Sequence, residues 1–105
     1  MNDAVLGLLG IARRAGRLTV GFDAVCASVT KGESRLILAA GDTSEGTLRK
    51  LRSSVGESGI NIIGMPYGLD DINAAIGKPV RLISINDGGF AQKVKGLLEK
   101  GNGEE

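Results

Sequence analysis

Short apolar runs alternate with helix-period stripes along this chain, and that alternation restricts the fold more than any other feature. Residues 35–40 read RLILAA and residues 80–85 read VRLISI. Nearly continuous apolar runs of this length are what strands covered on both faces require. Residues 60–63 and the very short 18–20 segment complete four candidate strands. Between them run five helical stripes with apolar residues three or four positions apart: Val5, Leu8, Leu9 and Ala12; Phe22, Val25 and Val29; Leu48, Leu51 and Val55; Leu69, Ile72 and Ile76; Phe90, Val94, Leu97 and Leu98. Helices alternating with strands predict the α/β class: a three-layer α/β/α sandwich around a four-stranded, mostly parallel or mixed sheet. The expected core is Leu8, Val25, Leu36, Ile37, Leu38, Leu51, Ile62, Ile83 and Leu97. Residues 1–100 read as one domain and residues 101–105, GNGEE, as a disordered polar tail.

The punctuation agrees with the stripes. Glycine supplies 17 of the 105 residues, about twice its usual share, and most of it falls where a periodic segment ends. Asn2 or Asp3 can cap the first helix and Gly16 can stop it. Asp42 and Glu45 offer a capping-box-like start to the third helix. Gly77 and Pro79 stop the fourth, and Asn86 or Asp87 caps the fifth.

Composition removes several kinds of function. There is no histidine, so imidazole acid–base chemistry and histidine-ligated metals are excluded. The one cysteine, Cys26, excludes an internal disulfide, fits a reducing cytoplasm and sits in an apolar helical pattern as buried filler. Phe22, Tyr67 and Phe90 are the only aromatics, too few for a base-stacking platform. No apolar run reaches the roughly 20 residues of a membrane span. The first helix lacks the basic leader of a signal peptide; its arginines follow the apolar stretch. The phosphate-loop, dinucleotide and nucleophile-elbow glycine motifs are absent. Asp70 and Asp71 are adjacent, so on a helix they diverge by about 100° and serve better to begin the helix than to share a proton. Ser53 and Ser54 lack a histidine partner and read as solvated helix positions. Asp87-Gly88-Gly89 reads as a plain strand-to-helix connection. No catalytic constellation and no cofactor site emerge.

The net charge is +1, so any anion site has to be a local patch. Residues 8–32 contain the best one. Arg13, Arg14 and Arg17 end the first helix, and Gly21 opens the second, whose free amides attract anions. The expectation is that arginines and helix start meet and hold phosphate. In the simpler alternative, Arg13 and Arg14 complement the dipole of their own helix. A second location is the rim beyond the strand ends, at Gly41-Asp42-Thr43, Gly64-Met65-Pro66 and Asn86-Asp87-Gly88, where open α/β sheets bind ligands.

The segments LLGIARRAGRLTVG, RLILAAGDTSEGT and LDDINAAIGK, with the eleven-residue step from Gly21 to Gly32, resemble the ribosomal protein L7Ae/L30e superfamily, in particular its small bacterial YlxQ-like subgroup. The resemblance spans roughly residues 5–98. It implies an α/β/α sandwich that binds structured RNA, typically kink-turns in ribosomal or other RNAs, with no enzyme activity, cofactor, membrane partner or small-molecule substrate. A ribosome or ribosomal proteins are the implied partners. Members that bind kink-turns carry Gly-x-Asn-Glu-x-x-Lys at the start of the second helix. Carried onto this chain, the glycine is Gly21, followed by Phe22. Asp23 stands at the Asn position, Ala24 at the Glu position and Ala27 at the Lys position. The second RNA-facing loop corresponds to Gly77, Lys78 and Pro79. The implied RNA surface is therefore Arg13, Arg14, Arg17, Gly21, Phe22, Asp23, Ala24, Ala27, Lys78 and Pro79. Its reading motif is degenerate, because Asp23 adds a charge that phosphate repels while Ala24 and Ala27 lose a carboxylate and a cation. The alternative is a protein-interaction module that kept the fold and lost the RNA site.

Overall fold

Ala39 pairs with Leu82 on one side and Gly64 on the other, and this central register fixes the sheet. A computed structural model describes residues 4–103, with side-chain surroundings for residues 4–99. The elements are α1 (Ala4–Arg14), β1 (Leu18–Val20), α2 (Phe22–Thr30), β2 (Leu36–Ala39), α3 (Glu45–Val55), a 3-10 turn (Gly56–Ser58), β3 (Ile62–Gly64), α4 (Leu69–Ile76), β4 (Leu82–Ile85) and α5 (Gly88–Gly103). The strand order is β1-β4-β2-β3. β4 runs antiparallel to both β1 and β2, and only β2 and β3 pair in parallel. Of the two sheet types the sequence allows, the mixed one forms.

Side-chain alternation along β2 and β4 divides the core in two. Leu36, Leu38, Ile83 and Ile85 face α1, α4 and α5, where Val5, Leu9, Ile72, Ile76, Val94 and Leu98 close the layer. Ile37, Ala39 and Leu82 face α2 and α3, against Val25, Leu51 and Val55. Both faces of the central strands are covered, which is why their sequence shows no polar alternation. Three members of the expected core, Leu8, Ile62 and Leu97, are half-buried. Ile62 belongs to β3, an edge strand; Leu8 and Leu97 flank the buried stripes of their helices and pack on the outside of the first cluster. Cys26 is half-buried too, at the margin of the second cluster.

One cap differs from the expected one, and one choice between two is decided. Ser44, not Asp42, caps α3, its Oγ accepting from the Thr47 amide at 3.1 Å. Asp87 caps α5, accepting from the Phe90 amide at 2.9 Å. Asn86 turns inward instead: its Nδ2 donates to Thr19 Oγ1 at 2.7 Å, and its Oδ1 accepts from Ser84 Oγ at 2.7 Å. The Ser84 and Ser34 hydroxyls, both buried, stand 2.7 Å apart. A polar chain thus runs across three strand ends with its buried groups paired, as burial of polar atoms demands. α5 continues to Gly103, into the segment expected as a tail. The expected caps Asn2 and Asp3, and the last two residues of that tail, lie outside the described residues.

Candidate nucleic-acid interface

α1 ends in a Schellman motif. The Gly16 amide donates to the Arg13 carbonyl at 3.0 Å and the Arg17 amide to the Ala12 carbonyl at 2.9 Å, with Gly16 at φ 75°. These two bonds satisfy the carbonyls that arginine side chains would otherwise cap. Arg13 is half-buried, Arg14 and Arg17 are exposed, and none of the three has a carboxylate within 4 Å among the described residues. Arg14 turns toward the α1–α4 groove beside Ala74 and Ala75.

Gly21 opens α2 with φ 95° and ψ 153°, a combination essentially restricted to glycine. Its amide donates to the Leu82 carbonyl at 2.9 Å, and its carbonyl accepts from the Val25 amide at 2.9 Å. No side chain caps the helix. Phe22 is half-buried against the α2–α3 core, so its ring is packing. Asp23, Ala24 and Ala27 are all exposed on α2.

The arginines and the α2 start do not meet. The Arg17 carbonyl accepts from the Asn86 amide, beyond the end of β4, whereas Gly21 bonds Leu82 at its beginning. β1 separates them by about 13 Å, four residues of extended chain. The residues expected to form one phosphate site therefore stand at opposite ends of the sheet.

The Gly21 end also holds the 78–81 loop. Pro79 and Arg81 line one groove with Gly21, Phe22 and Thr43. Lys78 and Pro79 are exposed. Arg81 Nε donates to Asp42 Oδ1 at 3.1 Å, with about half of each side chain open to solvent at 46% and 47%. Asp42 Oδ2 accepts from the Leu69 amide at 3.2 Å. The Leu69 amide, opposed by some desolvation and helped by Arg81, holds the Asp42 carboxyl below its usual range. One carboxylate thus ties the α3 approach, the α4 start and the 78–81 loop together. The strand-end rim splits likewise. Residues 41–43 and 64–66 stand at the Gly21 end, but residues 86–88 stand at the arginine end, because β4 is antiparallel.

Arg81, Lys31, Arg35 and Lys95 also stand at these two ends, and the sequence alone did not single them out. Only their charge marks them, and charge without topology does not say which cations gather. Ser53 and Ser54 are exposed on α3, and no group of three His, Cys, Asp or Glu side chains gathers as a metal site among the described residues.

The architecture defines a class: α/β/α proteins that present a glycine-opened helix start beside a return loop. The ribosomal protein L7Ae/L30e/S12e/Gadd45 family model matches residues 3–95, and the chain belongs to that family. It is 31% identical over 98 residues to a protein of Enterococcus faecium named RNA-binding protein YlxQ, covering 93% of this chain and 94% of that one. A protein of the same name from Bacillus subtilis (strain 168) is 28% identical over 97 residues, covering 88% and 92%. Among solved structures, a Bacillus halodurans protein of unknown function superposes with a TM-score of 0.84 at 30% identity, covering 93% of this chain and 99% of that one. The Giardia lamblia 15.5kD RNA binding protein superposes with a TM-score of 0.71 at 16% identity, covering 95% and 92%; that likeness is one of fold.

Proposed function

We propose that this is a non-catalytic RNA-binding protein of the cytoplasm, acting on structured RNA such as ribosomal RNA. The observation that carries the reading is the uncapped α2 start at Gly21 standing beside the 78–81 loop, in a chain whose relatives are named as RNA-binding. Free helix amides and Lys78 supply donors for phosphate or base edges. Asp23, Ala24 and Ala27 leave little at this surface to read a sheared G·A pair, so kink-turn recognition is weak. Binding to other structured RNA remains through backbone contacts.

The carboxylates Asp23, Asp42, Glu45, Asp70 and Asp71 near the same end favour a second reading, a protein-interaction module on the same fold. Crosslinking in cells followed by sequencing of bound RNA decides between them, together with a salt titration. Several phosphate contacts give a steep loss of affinity, with a log–log slope of roughly −0.7 per contact on single strands. Absence of crosslinked RNA, or affinity indifferent to salt, contradicts the RNA reading.

A further inference from the structure

We propose that the end of the sheet opposite Gly21, centred on Arg17 and Arg35, is a surface for RNA backbone phosphates. This inference rests on the RNA-binding reading and adds a site to it. Leu18 and Leu36 both pair with Ile85, one on each side. Arg17 and Arg35, the residues before them, therefore flank Asn86 about two strand spacings, roughly 10 Å, apart. The Asn86 amide bonds the Arg17 carbonyl and the Arg35 amide bonds the Ile85 carbonyl, both at 2.8 Å, so both backbones are fixed by the sheet. Beneath them the Ser34–Ser84–Asn86–Thr19 chain holds the three strand ends in place.

Arg35 is preorganised. Its Nη1 donates to the Gly32 carbonyl at 3.0 Å and the Ser34 carbonyl at 3.3 Å. A guanidinium has further N–H groups on Nε and Nη2, and these take no protein acceptor among the described residues. A side chain already held loses less freedom when it binds an anion. Arg35 opens onto a groove whose other polar lining is Asn61, Gln92 and Lys95. Lys31, exposed at the C-terminus of α2, and Arg13, at the C-terminus of α1, stand at the same end.

Charge is sorted along the strands. At the arginine end the carboxylates among the described residues are Glu33, Glu57 on the 3-10 turn before β3, and Asp87, and Asp87 is occupied in capping α5. At the Gly21 end, Asp23, Asp42, Glu45, Asp70 and Asp71 surround Lys78 and Arg81, and Arg81 is already paired. A polyanion approaching this nearly neutral chain is steered to the arginine end. The helix start and its loop then meet whatever RNA segment the backbone contacts bring alongside.

The test is filter binding of labelled bacterial ribosomal RNA fragments across a salt series. It uses the full chain, the triple variant Arg17→Gln/Arg35→Gln/Lys95→Gln, and the equal-charge control Arg49→Gln/Lys50→Gln/Arg52→Gln on α3. The end variant is expected to bind at least about tenfold more weakly, with a slope shallower by about two, because each cation removed from a phosphate takes away roughly 0.7. The control is expected to change much less. Arg17→Gln alone breaks no side-chain bond, so it keeps the test valid should the triple variant unfold; its slope should be shallower by about 0.7. Wild-type binding with an end variant as tight as wild type overturns the site but not the RNA reading. Equal weakening in end variant and control overturns it as well, as a net-charge effect. No salt-dependent binding by the wild type removes both.

Discussion

Arg17 and Gly21 occupy opposite ends of β1, one bonded to Asn86 and the other to Leu82, at 2.8 Å and 2.9 Å. Those two bonds separate the molecule into an arginine-rich end and a helix-start end. Between them lies the extended β1 backbone, about 13 Å long.

Restoring the family's reading motif is expected to restore its activity. Asp23, Ala24 and Ala27 are exposed on α2, and Asp23 and Ala27 share a face as an i, i+4 pair. The variant Asp23→Asn/Ala24→Glu/Ala27→Lys should bind a standard kink-turn at least about tenfold more tightly than the unmodified protein, by analogy with base-edge contacts worth about 1–3 kcal/mol. A titration against a matched RNA lacking the sheared G·A pairs checks it. Tight, G·A-dependent binding by the unmodified protein contradicts it.

Gly21→Ala should cost about 1–3 kcal/mol, since no Cβ-bearing residue adopts that backbone without strain. Nothing lies within 4 Å of the added methyl, so the cost is conformational rather than a clash. Urea unfolding measures it. A destabilisation of a few tenths of a kcal/mol would show that the α2 start relaxes.

Ile83→Ala removes a fully buried side chain from the middle of β4. The expected destabilisation is about 2–5 kcal/mol, transfer energy plus residual cavity. An unchanged unfolding midpoint would contradict the layer arrangement.

Asp42 makes a pH-dependent contribution. Its folded pKa is lowered, chiefly by the Leu69 amide, so the stabilisation is complete above the unfolded aspartate value of about 3.9. It is lost as pH falls through the lower folded value. Wild type should therefore exceed Asp42→Asn in thermal midpoint at neutral pH, and the gap should close in strongly acidic buffer. A gap that is constant with pH would show that the carboxylate charge is not what ties the loops.

Much of the fold and part of the candidate site could be read from the residues. The five stripes and four apolar runs marked the five α-helices and four strands of the described residues, though not the 3-10 turn at Gly56–Ser58, because burial on one face or two imposes a period that local sequence must carry. The Gly21 position was readable because its backbone excludes side chains. The competition for caps was not: Ser44, Asp42 and Asn86 are all chemically fit to cap, and tertiary partners such as Arg81, Leu69 and Thr19 decided which did.

By itself the sequence determined the layers, the burial of the central strands on both faces, the turn at Gly16 and the loss of the reading motif after Gly21. Only the tertiary structure decided the direction of β4, and with it which loops share an end. Apolar runs are the same read parallel or antiparallel, so strand direction leaves no mark on them. It depends on pairing between residues distant in the chain. Extension of β1 holds Arg17 away from Gly21, and the pairing of β1 and β2 on either side of β4 sets it near Arg35.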